Sequence, residues 1–160
     1  MAALAGGCAA PGQRFAPGTD SAAVLQGMGT PTAEHRTASG GRRLEYAGGA
    51  FGRATWMFDF DASGLLVAAE QVRDEGHFNA IKAGMSAEDV RMQIGAPSTT
   101  WPIAWQHQLV WSYRYDSPFC QWFMVGMGPE GKVVDTAYGP DPICERDPLF
   151  GMHMHMHMHR

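Results

Sequence analysis

The chain has 160 residues, enough for one ordinary domain or two very small ones, and 45% of them are hydrophobic against 18% charged, a globular rather than a disordered mix. Lys+Arg 12 against Asp+Glu 16 leaves a net charge of -4, which argues against a nucleic-acid binder. No apolar run reaches the length of a spanning helix, about 18 residues, and three cysteines, Cys8, Cys120 and Cys144, are too few for a disulfide-built mini-scaffold or a four-thiolate zinc site.

Residues 1–17 are small, rich in Gly and Pro, and carry one charge, Arg14. They cannot bury enough apolar area to offset their ordering entropy and read as a flexible linker. Cys8 follows Leu4-Ala5-Gly6-Gly7, small residues that resemble the lipobox of bacterial lipoproteins. The basic and apolar regions of a signal peptide do not precede it. Either the start lies elsewhere or Cys8 is an ordinary tail thiol.

Asp20 is placed as an N-cap with Val24 on the inner face of a short helix, and Gly29 and Pro31 end it. Strands are expected over Arg42 to Ala47, Thr55 to Phe60 and Leu65 to Val72, with a turn at Asp61-Ala62-Ser63-Gly64. Gly48-Gly49-Ala50-Phe51-Gly52 lies between strands and reads as a loop, not a phosphate cradle. Phe78 and Ile81 are spaced for one helical face. Ser86 and Asp89 form a capping-box pair, Met85 and Val90 a hydrophobic staple, and Gly95 with Pro97 closes that helix. Residues 99–106 read as an edge strand because of Pro102. Leu109, Trp111, Tyr113 and Tyr115 alternate with Val110, Ser112 and Arg114, a half-buried strand. Phe123, Val125 and Met127 follow, then a turn at Gly128 to Gly131 and a return strand from Lys132 to Tyr138.

These elements repeat. Gly18, Val24, Gly29 and Pro31 recur as Gly84, Val90, Gly95 and Pro97, each 66 residues later. Leu44-Glu45-Tyr46 and Gly64 recur as Trp111-Ser112-Tyr113 and Gly131 at a separation of 67. The expected architecture is α+β: two tandem units, each of short helices followed by a three- to four-stranded antiparallel meander, with helices packed on one sheet face. The first unit occupies residues 18–76, the second residues 77–146, and residues 147–160 form a Met/His-rich tail.

The string from Ile81 through Gly84-Met85-Ser86, Val90 and Gly95-Ala96-Pro97, followed by Trp111-Ser112-Tyr113 and an acidic-Gly turn before Lys132-Val133-Val134, resembles the SmpA/OmlA (BamE-like) family. These are small outer-membrane lipoproteins that include the E subunit of the β-barrel assembly machinery. The likeness covers residues 77–139, with residues 18–72 as a degenerate second copy. It implies acylation of Cys8, anchorage at the periplasmic face of the outer membrane, and non-enzymatic binding or scaffolding. The implied partners are envelope proteins, the β-barrel assembly machinery among them, with no nucleic acid. The tandem arrangement is also similar to the β-lactamase-inhibitor protein fold, so an inhibitor-like periplasmic binding module is the alternative.

No catalytic constellation stands out in the sequence, and no cofactor is implied. Cys120 and Cys144 flank the last hairpin, so an exported chain could join them; the alternative is two buried thiols. Trp101, Ile103, Trp105 and Phe119 are candidate partner-binding residues in a stretch with few charges, or else they pack between the units. His153, His155, His157 and His159 alternate with methionines and could take adventitious nickel, copper or zinc, a metal-handling role being a third reading.

Overall fold

The computed structural model describes residues 9–146. It divides into two compact units, residues 9–47 with 55–72, and residues 48–54 with 73–146. In the first unit a 3-10 turn at Pro11–Gln13 precedes helix α1 (Ser21–Met28), then strands β1 (Ala33–Arg36), β2 (Arg42–Ala47), β3 (Thr55–Phe60) and β4 (Leu66–Gln71). The second carries α2 (Glu75–Phe78), α3 (Ala87–Ile94), β5 (Thr99–Ile103), β6 (Gln108–Arg114), β7 (Gln121–Met127) and β8 (Val133–Pro140). Each unit has one four-stranded antiparallel sheet in sequential order, β1-β2-β3-β4 and β5-β6-β7-β8.

The α+β expectation is therefore corrected. The chain is mostly antiparallel β, with few helices among the described residues, and it is not a helix-rich fold with helices packed on its sheets. Asp20 and Ser86 each cap a short helix of 8 residues, as their spacing to Gly29 and Gly95 predicts. Gly29 and Gly95 end those helices at φ 82° and 77°, a region where a side chain would clash. The Phe78–Ile81 periodicity yields a single turn, and Ile81 lies beyond it. Strand β1 was absent from the sequence expectation because Ala-Glu-His-Arg carries no apolar alternation; its neighbour β2 recruits it, Ala33 pairing with Glu45.

Local chemistry recurs between the units bond for bond. Gly18 N–H donates to Leu66 O at 2.7 Å, and Gly84 N–H to Val133 O at 2.8 Å. Leu66 N–H returns to Thr19 O as Val133 N–H returns to Met85 O, both at 2.8 Å. Ser21 N–H reaches Gly64 O, and Ala87 N–H reaches Gly131 O. Tyr46 and Tyr113 hydroxyls donate to the carbonyls of Gly29 and Gly95. Even the irregularity in the third strand repeats, between Asp59 and Phe60 and again between Gly126 and Met127.

Each unit closes its own interior. Val24, Leu44, Phe58, Phe60 and Leu66 form one, with Phe15 and Tyr46 meeting Phe58 edge-on. The other gathers Phe78, Val90, Ile94, Trp111, Tyr113, Phe123, Val125 and Val133, with Phe78 stacked on Phe123 at 4.5 Å. The half-buried expectation for β6 changes, because Val110 and Ser112 are buried as well as Trp111 and Tyr113. Trp101 bonds to Ser112 across the strand pair and removes that hydroxyl from water.

The α3 cap is a complete capping box: Asp89 N–H donates to Ser86 Oγ and Ser86 N–H to Asp89 Oδ2, both at 3.0 Å. Donation from Ser86, its backbone N–H first and its hydroxyl next, holds the Asp89 carboxyl below its ordinary range. A carboxyl so depressed contributes stability above its unfolded pKa and loses it as pH falls through the folded value. Ser86→Ala is expected to cost about 1 kcal/mol in urea unfolding at neutral pH, with the difference from wild type shrinking in acid.

Candidate functional site

The most developed site lies in the second unit where β6, β7 and β8 end together. Its foundation is Arg73, 2% exposed. Its Nη1 donates to Gly52 O at 2.9 Å, Ser98 Oγ at 2.9 Å and Arg114 O at 3.1 Å, and its Nη2 to Ala96 O at 3.0 Å. A buried guanidinium is tolerable when carbonyls and hydroxyls satisfy its fork. Here they join three separate stretches of chain, and the charge also sits 5.7 Å from the Tyr113 ring centroid.

Above it, Arg114 pairs with Asp141. Arg114 Nε donates to Asp141 Oδ2 at 2.8 Å and Nη2 to Oδ1 at 3.1 Å, a bidentate geometry with side chains 12% and 6% exposed. Nη1 donates to Ala50 O at 2.7 Å. The guanidinium lies between two rings, 5.6 Å from the Phe51 centroid and 5.3 Å from that of Trp122.

Asp141 is held by its own turn. Its N–H donates to Cys120 O, its carboxylate accepts from Ile143 N–H, and its carbonyl accepts from Cys144 N–H, all at 3.0 Å. The Cys120–Cys144 disulfide closes this turn, with Cα atoms 6.4 Å apart. Constraining a loop of this length contributes about 3 kcal/mol in the chain-entropy picture. The turn and its neighbours wall a cavity of about 420 Å³ with Phe51, Ser98, Trp101, Arg114, Trp122 and Ile143 in its lining.

A second cavity of about 390 Å³ lies on the other side of the turn, against Phe119, Gln121, Tyr138 and the disulfide. Tyr138 donates to Asn79 Oδ1 at 3.1 Å. Loss of solvent around the hydroxyl, with the neighbouring Tyr115 and the Glu75 and Asp74 carboxyls, pushes it up to about 12.

The partner-binding candidates do not share one place. Trp101 borders the 420 Å³ cavity and also a groove of about 170 Å³ on the sheet that Ile103 lines. Trp101 Nε1 donates to Ser112 Oγ at 2.9 Å, so its indole presents carbon. Trp105 stands 80% exposed on a 3-10 turn, and Phe119 76% exposed beside the second cavity. Cys8 and His153, His155, His157 and His159 lie outside the described residues. Among the described residues no group of three or more His, Cys, Asp or Glu is placed to hold a metal ion, and no helix is long and apolar enough to cross a membrane.

Sequence reasoning missed Arg73, Arg114, Asp141 and Phe51. Arg73 and Asp141 look like surface charges next to loop segments. A signal was available in the repeat: Arg114 stands where the first copy has Ala47, and Trp101 where it has His35.

No family model matches the chain, and no curated protein matches it. Among solved structures it is similar to an extracellular protein containing a SCP domain from Bacillus anthracis str. Ames, at 16% identity and a TM-score of 0.30. That match covers 81% of this chain and 46% of the other, so this chain spans about half the length of that neighbour. It is also similar to a DUF4309 family protein (YjgB) from Bacillus subtilis subsp. subtilis str. 168, at 9% identity and a TM-score of 0.31, covering 77% and 79% of the two chains.

Two outcomes follow from the pairing and the burial. Asp141→Ala strands the Arg114 charge and is expected to cost roughly 3–5 kcal/mol in denaturant unfolding, most of it recovered in the Asp141→Ala/Arg114→Met double variant. Tyr138 is expected to ionise near pH 12 in high-pH absorbance. Its contribution to stability stays intact below the ordinary tyrosine value of about 10 and is lost as pH climbs through the folded value. Tyr138→Phe removes that alkaline loss.

Proposed function

We propose that this chain is a binding protein of the bacterial envelope, tethered through acylated Cys8 to the periplasmic face of the outer membrane and related to the SmpA/OmlA lipoproteins. The observation that carries the reading is the cavity walled by the disulfide-closed turn, with Phe51 75% exposed at its rim. A recess that is formed in advance, with aromatic and polar walls, lowers the ordering cost of binding a partner. The disulfide supports an oxidising, exported compartment. Support for the assembly role comes from the SmpA/OmlA resemblance of residues 77–139.

Expression of the complete gene in cells fed labelled palmitate, followed by membrane fractionation, tests the tether. Label and outer-membrane recovery, both abolished by Cys8→Ala, are expected. Absence of label and of any membrane pool would turn the reading toward the soluble inhibitor-like module. A pull-down from native envelopes through residues 18–146 tests the partner: recovery of a β-barrel assembly subunit supports the assembly role, and its absence removes that role.

A further inference from the structure

The cavity at the end of the second sheet has a chemistry that narrows its guest. Phe51, Trp101, Trp122, Pro142 and Ile143 give it carbon walls. Several of its polar groups are engaged within the protein, while the Thr99 hydroxyl in the lining is exposed. Ser98 Oγ accepts from Arg73 Nη1 and from Arg114 N–H, both at 2.9 Å. The Trp101 N–H is spent on Ser112, and the Asp141 carboxylate on Arg114 and Ile143. Arg114, the cation among the described residues of the lining, is matched by the Asp141 carboxylate. A charged guest would leave water and find no uncompensated countercharge.

Two N–H groups of the Arg114 fork make no bond among the described residues, since three of its roughly five donors go to Asp141 and Ala50. A single peptide carbonyl at the mouth of the cavity suits them. The first unit supplies an internal control. Thr32 Oγ1 accepts from Ala47 N–H just as Ser98 Oγ accepts from Arg114 N–H, so the meander keeps this framework bond in both copies. The side chains differ: Ala47 replaces Arg114 and His35 replaces Trp101. The framework bond therefore forms without the arginine and the indole, and in the first copy His35 bonds Glu45 at the place where Trp101 bonds Ser112.

We propose that this cavity receives an uncharged apolar side chain, aromatic or proline, from an extended segment of a partner protein, with the backbone carbonyl of that segment accepting from Arg114. The proposal rests on the binding reading above and names the chemistry of the partner. Aromatic walls favour a flat or ring-shaped guest packed edge-on or stacked. The neutral Arg114–Asp141 pair selects against acidic and basic residues.

Titration of the purified, isotope-labelled full chain with blocked tripeptides, followed by NMR, tests it. Acetyl-Gly-Phe-Gly-amide and acetyl-Gly-Pro-Gly-amide are expected to shift the Trp101 and Trp122 indole N–H and Arg114 Nε–H signals saturably in the millimolar range. Acetyl-Gly-Glu-Gly-amide is expected to bind about tenfold more weakly or not at all. Phe51→Ser and Ile143→Ser, both at exposed side chains, each weaken the Phe peptide several-fold, while Phe119→Ser at the second cavity leaves it unchanged. Thr99→Trp, placed to fill the cavity, abolishes it. Equal binding of the Glu peptide, no saturable shift from either apolar peptide, or the same signals moving instead with N-acetylglucosamine or with phosphatidylglycerol vesicles would overturn the proposal. Because the assay uses no membrane, palmitate label with no peptide binding refutes this inference alone, whereas peptide binding without label refutes only the tether.

Discussion

A helix of two turns does not persist in water on its own, because fixing the first turn costs more than its few hydrogen bonds return. Both units meet this constraint in one way. The segment just ahead of the helix is joined to the last strand of the meander by reciprocal backbone bonds, Gly18 and Thr19 to Leu66, and Gly84 and Met85 to Val133. The first and last parts of each unit are thus fixed together before side chains are considered. Val24 in one unit, and Val90 with Ile94 in the other, are then presented to an interior that the strands have already defined. The recurrence of these bonds at separations of 66 and 67 residues shows that the backbone plan is duplicated even where side chains have diverged.

Both units draw arginines inward: Arg43 of the first pairs with Asp59 and Glu70, and the second holds Arg73 and Arg114. Arg73 donates through Nη1 and Nη2 to carbonyl and hydroxyl oxygens of residues 52, 96, 98 and 114. That arrangement fixes residues 48–54 against the strand ends of the same unit, and with them Ala50 and Phe51. Arg114 then lies between the Phe51 and Trp122 rings, where its charge is matched by Asp141. The two guanidinium groups divide the labour: one joins stretches of backbone, and the other shapes a recess.

The disulfide acts on the same recess from the other side. It restrains the turn that carries Asp141, Pro142 and Ile143, so the carboxylate is already aimed at Arg114 and the carbon wall is in place before any guest arrives. Preorganisation of this kind reduces the side-chain ordering that binding would otherwise require. A rim residue as exposed as Phe51 is stable in water only because one apolar side chain costs little when left alone. Its position beside a walled cavity gives that exposure a use.

Legibility in the sequence followed the range of the interaction. Caps, turns and helix ends are local, and Asp20, Ser86 with Asp89, Gly29 and Gly95 could be read directly from their neighbours in the chain. The tandem period was legible because turn residues and aromatic pairs recur at fixed spacing. The balance of the fold was not: the expected α+β layering gives way to a mostly antiparallel β chain, and β1 has no pattern of its own and exists because β2 pairs with it. The pairing of Cys120 with Cys144 was open on spacing alone, and the return of β8 brought the two together. Only the tertiary structure decided that Arg73, Arg114 and Asp141 are buried partners rather than solvated charges. A charge buried by strands distant in sequence carries no local signature; its partners come from residues up to 64 positions away, and nothing short of the folded sheet puts them within hydrogen-bonding distance.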